Sequence, residues 1–183
     1  MKLELAPALI VGHSSGAFTG LYCAYKYPAL IKALVLCEPP VLSLLEKSHL
    51  ESDVKLLVDH RNNAHKPAEE AFDRGENERA VRVFVDGVMG ENFFDLIPPQ
   101  IRQIMMDNAK WLPGDLERGM PSSFSLDDVK RISTPSLLLR GEFSPRFLLR
   151  ITEILSGNMP NTEQAMIPGV THDLGIMAKA DIF

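Results

Sequence analysis

The 183-residue chain is 45% hydrophobic and 23% charged with a formal net charge of −5, the make-up of one globular domain able to bury a sizeable core. That charge leaves no basic footprint for nucleic acid, and no apolar run approaches the ~20 residues of a membrane span. Glu4 and Pro7 interrupt any signal-peptide core, and Cys23 and Cys37 lie in apolar stretches, so they read as reduced, buried side chains of a cytoplasmic protein.

In chain order, residues 8–12 (ALIVG) form a short apolar run and predict the first strand. Residues 15–26 follow as a helix with Ala17, Leu21 and Ala24 on one face. The run 33–37 (ALVLC) predicts a second strand, stopped by Glu38-Pro39-Pro40. Residues 41–128 carry no convincing strand. They read as helices at 43–62, 67–74, 77–89 and 98–111, the last opened by Pro98-Pro99. Met105, Met106, Phe93, Phe94 and Trp111 make this segment rich in large apolar side chains, which serve first as core. The third strand, 136–140 (SLLLR), lies between Pro135 and Gly141. A helix at 145–156 then turns Phe147, Leu148, Ile151 and Leu155 inward. A weaker fourth strand, 163–167, ends at Pro168-Gly169. Unbroken apolar runs predict strands buried on both faces, in a mostly parallel sheet flanked by helices. The class is α/β.

The stretch Gly12-His13-Ser14-Ser15-Gly16 lies between the first strand and the first helix. A serine there takes a strained conformation that lifts its hydroxyl off the sheet, and flanking glycines avoid collisions with neighbouring chain. The helix behind it aims free N–H groups at the same spot, so the Ser15 N–H is a candidate oxyanion donor. A nucleophilic Ser14 needs a base. His13 is expected to point to the other side of the turn, and His49, His60 and His65 to be solvated on helices. His172 follows the fourth strand and a Gly-containing loop, at the same sheet edge as Ser14.

The segments LIVGHSSGAFTGLYCAYKYP, IKALVLCEPP, ISTPSLLLRGEFSP and MPNTEQAMIPGVTHD together resemble an α/β-hydrolase-fold enzyme. The resemblance implies a serine-nucleophile hydrolase with Ser14 as nucleophile and His172 as base. It also implies a division into an α/β-hydrolase core at 1–40 and 129–183 and a helical cap insert at 41–128. The family's usual acid position, an aspartate after the third strand, is occupied here by Ser144 in Gly141-Glu142-Phe143-Ser144. A second acid location known in the fold is the end of the strand after the nucleophile. Glu38 stands there, 24 residues beyond Ser14. Glu38 is the expected acid and Glu142 the alternative.

A serine nucleophile implies acyl transfer followed by hydrolysis of a small ester or related carbonyl substrate, with no cofactor and no metal. His13, Trp111 and Phe143 are candidates for substrate contact. Members of the family place further strands and a His-Gly loop, with a second oxyanion donor, ahead of the serine. This chain has 13 residues there and ends soon after His172, so it reads as truncated at both ends. Its first strand would then be an exposed edge, open to self-association. The other reading is a non-catalytic α/β-hydrolase-like fragment or binding protein that lacks the oxyanion loop.

Overall fold

The computed structural model describes residues 6–111 and 124–173, the side chain of Trp111 excepted. Four parallel strands stand in the order β1 (Ala8–His13), β2 (Ile31–Cys37), β3 (Ser136–Gly141) and β4 (Thr162–Ile167). Gly12 is in register with Leu36, Leu36 with Leu138, and Leu138 with Gln164. Helix α1 (Ser15–Lys26) connects β1 to β2. A long helical segment connects β2 to β3, and α9 (Arg146–Asn158) connects β3 to β4. Parallel neighbours require such crossovers, and the crossovers bring all four strand C-termini to one edge.

One core lies on the sheet face that carries Leu34, Leu36 and Leu138. Leu21 of α1 and Leu148, Ile151 and Leu155 of α9 fill it. Helix α1 comes close because Gly20 carries no side chain: an added Cβ would stand 2.9 Å from Ile10 Cγ2. The expectation of strands buried on both faces holds on this side alone. Leu9 and Val11 on the opposite face of β1 are 59% and 67% exposed, and Glu163–Met166 of β4 are exposed as well. Among the described residues, helices cover one face of the sheet and leave the other half-open.

Between β2 and β3, residues 43–62 do not form one helix. They give α2 (Ser43–Glu46) and α3 (Glu51–His60). The break sits at Ser48, whose hydroxyl accepts from Leu50 N–H at 3.2 Å and donates to Asp53 at 2.7 Å, a local alternative to the helical ladder. Helix α3 passes through a π-helical turn at Arg61–His65 into α4 (Lys66–Asp73). Pro67, with no N–H to give, interrupts the regular ladder there. Helix α5 (Asn77–Met89) occupies the expected residues, followed by α6 (Phe93–Leu96) and α7 (Pro99–Asp107). Helix α8 (Leu126–Lys130) is opened by a capping box between Ser125 and Asp128, a Ser-x-x-Asp signal readable in the sequence.

Val81, Val85, Phe94, Ile97 and Ala109 form a second apolar cluster, with Phe93, Met105 and Met106 packed against it. Val41, Leu44, Leu45, Leu57 and Phe124 instead join the core on the sheet. Asp53 ties α3 to α9 through a two-pronged pair with Arg150 at 2.8 and 3.1 Å.

His60 departs from the solvated histidine expected. It is buried, its ring lies 3.9 Å from that of Phe147, and its Nδ1 has no partner. Burial, then His65 and Arg61, push its pKa down to about 3. A group whose folded pKa lies below its unfolded value costs stability as pH falls below the unfolded pKa, here from about 6.5 toward 3. Between pH 7 and pH 5, His60 alone should remove about 2 kcal/mol. Urea unfolding at the two pH values should show that loss, and His60→Phe should shrink it. An equal loss in the variant would clear His60 of the effect.

The open side of β1 also carries an expectation. Among the described residues β1 is an edge strand, and that edge beside exposed Leu9 and Val11 invites a second copy. Size-exclusion chromatography should show a species larger than the 20.3 kDa chain at high protein concentration, and Val11→Lys should return it toward monomer. A monomer at every concentration would reject this.

Candidate active site

Ser14 sits at the turn from β1 into α1 with φ 51° and ψ −125°, a conformation few non-glycine residues adopt. Its N–H donates to the Cys37 carbonyl at 2.9 Å, which locks the turn onto the end of β2. Its side chain makes no capping bond to α1. Gly12 is required here: an added Cβ would lie 2.5 Å from the Gly16 carbonyl oxygen. Gly16 is different, because a Cβ there would meet nothing within 4 Å. The expected crowding at both flanking glycines therefore holds at Gly12 alone among the described residues. Ser15 is the first residue of α1 and is exposed, so its N–H belongs to the unsatisfied first turn.

Glu38 directly follows β2, fully buried, with a second positive φ of 49°. Pro39 follows and turns the chain away. One carboxylate oxygen accepts the Gly141 N–H at 2.8 Å. The other meets His172 Nδ1 at 2.6 Å, across 134 residues of sequence. The Ser144 hydroxyl is buried against the same carboxylate without closing a well-formed hydrogen bond. Burial pushes the Glu38 carboxyl up. The hydrogen bonds from His172 and the Gly141 N–H, with the Ser144 hydroxyl beside them, outweigh it and hold the group below the usual carboxylate value. Glu38 is therefore ionised at neutral pH. The carboxylate can only accept, so His172 Nδ1 carries a proton, and in the neutral imidazole the lone pair is then on Nε2. That is the tautomer a general base needs.

His172 is buried on the loop after β4. Gly141 lets this loop approach, since a Cβ there would stand 2.6 Å from the Val170 carbonyl oxygen. Glu142, the alternative acid, points elsewhere. It is exposed, and its carboxylate accepts the Gly169 N–H at 2.9 Å. Phe143 is 67% exposed beside the same loop. The side chain of Trp111 lies outside the described residues. His13 does not point away from the site as expected. Its Nε2 meets the His172 carbonyl oxygen at 2.6 Å, and the two rings lie 4.6 Å apart. The Cys37 thiol is buried and burial pushes its pKa up, which keeps it protonated and inert. No group of three or more metal-ligating side chains occurs among the described residues, and no helix there is long and apolar enough to cross a membrane.

The structure thus brings Ser14, Glu38 and His172 to the ends of β1, β2 and β4, on one edge of the sheet. The contacts of His13, Ser144 and the Gly141 N–H had no signal in the sequence, because each spans residues far apart in the chain.

No family model matches the sequence, and no curated protein matches it. Solved structures do. The carboxylesterase CesB from Bacillus subtilis is 17% identical with a TM-score of 0.62, over 95% of this chain and 56% of that one. MenH from S. aureus is 20% identical with a TM-score of 0.66, over 93% of this chain and 62% of that one. A thermophilic esterase is 22% identical with a TM-score of 0.63, over 95% and 62%. This chain therefore spans about three fifths of the length of these neighbours. Over that length it has the α/β-hydrolase fold.

Proposed function

We propose that this α/β-hydrolase-fold chain carries the Ser-His-acid centre of an acyl hydrolase acting on a small ester or related carbonyl substrate. Ser14 is the nucleophile, His172 the base and Glu38 the acid. The observation that carries the reading is the buried 2.6 Å contact between Glu38 and His172 Nδ1, at the sheet edge where Ser14 holds its strained turn. Two of the neighbours named above are esterases, which agrees with this chemistry.

The Ser14 hydroxyl attacks the substrate carbonyl as His172 Nε2 takes its proton. The imidazolium that forms lies against ionised Glu38, which stabilises it where water is excluded. The tetrahedral oxyanion accepts the Ser15 N–H at the start of α1. Collapse breaks the ester C–O bond, and the His172 proton leaves with the alcohol. Water, deprotonated by His172, then attacks the acyl-serine. Collapse of this second intermediate releases the acid and returns the proton to Ser14. No cofactor takes part in these steps. In this proposal residues 41–128 form a cap, Phe143 contacts the substrate and His13 borders its site.

A fluorophosphonate probe tests the reading. Ser14 should be labelled in the whole chain, read by mass spectrometry of the modified peptide, and Ser14→Ala should take up no probe. An unlabelled Ser14 would favour the non-catalytic reading.

A further inference from the structure

The loop that carries His172 is held from two sides. On the β3 side, Phe143 N–H donates to the Val170 carbonyl at 2.9 Å and Gly169 N–H to the Glu142 carboxylate at 2.9 Å. The Thr171 hydroxyl donates to the Phe143 carbonyl at 3.2 Å. These bonds fix residues 169–171. They leave the main chain of His172 itself to be fixed from the other side. There, His13 Nε2–H donates to the His172 carbonyl at 2.6 Å, with the rings 4.6 Å apart and tilted by 34°. His13 is the last residue of β1, and Ser14 is the next.

We propose that His13 is a positioning residue: its Nε2–H holds the His172 main chain and so sets the base relative to Ser14. The proposal rests on the triad reading above. One peptide segment then carries both the nucleophile and the tether of its base, so the two move together. A carbonyl oxygen only accepts, so His13 bears its proton on Nε2. Burial first, then the neighbouring His172, keep the His13 ring below the usual histidine pKa. The bond to the His172 carbonyl, then Glu38 and Asp173, oppose that without reversing it. The ring is therefore neutral, which suits a neighbour that becomes an imidazolium during turnover. Because reaction geometry is steep in distance, a shift of about 1 Å in the base costs ~10²-fold.

Two variants separate the donor from the ring. His13→Phe keeps an aromatic ring against His172 but has no N–H. His13→Gln can set an amide N–H at the same reach. On an aryl ester, His13→Phe should lower kcat by about 10- to 100-fold with KM nearly unchanged. His13→Gln should recover most of that loss. A second readout needs no turnover: the His172 Nδ1 proton, hydrogen-bonded to Glu38, should give a downfield proton resonance in the wild-type protein. It should broaden or vanish in His13→Phe and persist in His13→Gln. If wild-type protein lacks both turnover and the resonance, the triad reading itself fails, and His13 has no base to position. If wild-type shows the resonance and His13→Phe leaves it and kcat unchanged, the positioning role is overturned. Equal impairment of the two variants, with equal stability in urea, would also overturn it, because ring packing would then account for the effect.

Discussion

A Ser14→Ala variant should lose the hydrolysis of short aryl esters by on the order of 10⁴-fold or more, the scale of removing a nucleophile from a triad. The substitution is clean. Alanine keeps the Cβ of serine, so it meets the same backbone strain at φ 51° and adds no new contact. The Ser14 N–H bond to Cys37 is a main-chain bond and survives. Circular dichroism and the urea midpoint should therefore match those of the wild type while the rate collapses. A small residual rate is expected, because the Ser15 N–H and the substrate contacts remain. A variant with wild-type turnover would remove Ser14 from the mechanism, and the proposed acyl-enzyme with it.

The second large effect lies at the acid. Glu38→Gln should lower kcat by about 10³- to 10⁴-fold, whereas Glu142→Gln should stay within about threefold of wild type. Glutamine keeps the shape of Glu38 but not its two acceptors. Gly141 N–H and His172 Nδ1–H both donate to the carboxylate, and an amide can offer an oxygen to one of them alone. If the amide oxygen faces Gly141, the amide N–H faces His172 and forces the imidazole proton onto Nε2, where the base should be free. The negative charge that stabilises the imidazolium is lost in either arrangement. At Glu142 the single bond to Gly169 N–H is one that a glutamine oxygen still accepts, at an exposed site where a charge is worth little. Steady-state kinetics of both variants on one aryl ester, with probe labelling of Ser14, decides the matter. The reverse pattern would move the acid to Glu142.

The two carboxylates show why sequence order alone left the acid open. Glu38 and Glu142 each follow an apolar strand, and each lies within reach of a histidine loop in principle. The parallel pairing of β2 with β3 and of β3 with β4 sets which one faces His172. Glu38 is turned inward by its positive φ and received by Gly141 N–H. Glu142 likewise directly follows its strand, but it turns outward and caps the loop at Gly169.

The sequence by itself determined the four strands and α1, because apolar runs, glycines and prolines act over a few neighbouring residues. Helix α1 occupies the residues expected of it, Ser15–Lys26, since Gly12-x-Ser14-x-Gly16 marks its start and Pro28 prevents its continuation. The placement of Ser14 and His172 at one sheet edge was legible for the same reason: parallel strands with helical crossovers put every strand C-terminus on one side. The tertiary structure alone decided the rest. It turned His13 toward His172, buried His60 against Phe147, split the helix expected at 43–62 and left Leu9 and Val11 exposed. Each of these outcomes depends on which distant segment packs against a residue, and local spacing carries no record of that. A hydrogen bond between residues 13 and 172 exists because β1 and the loop after β4 end at the same height of one sheet.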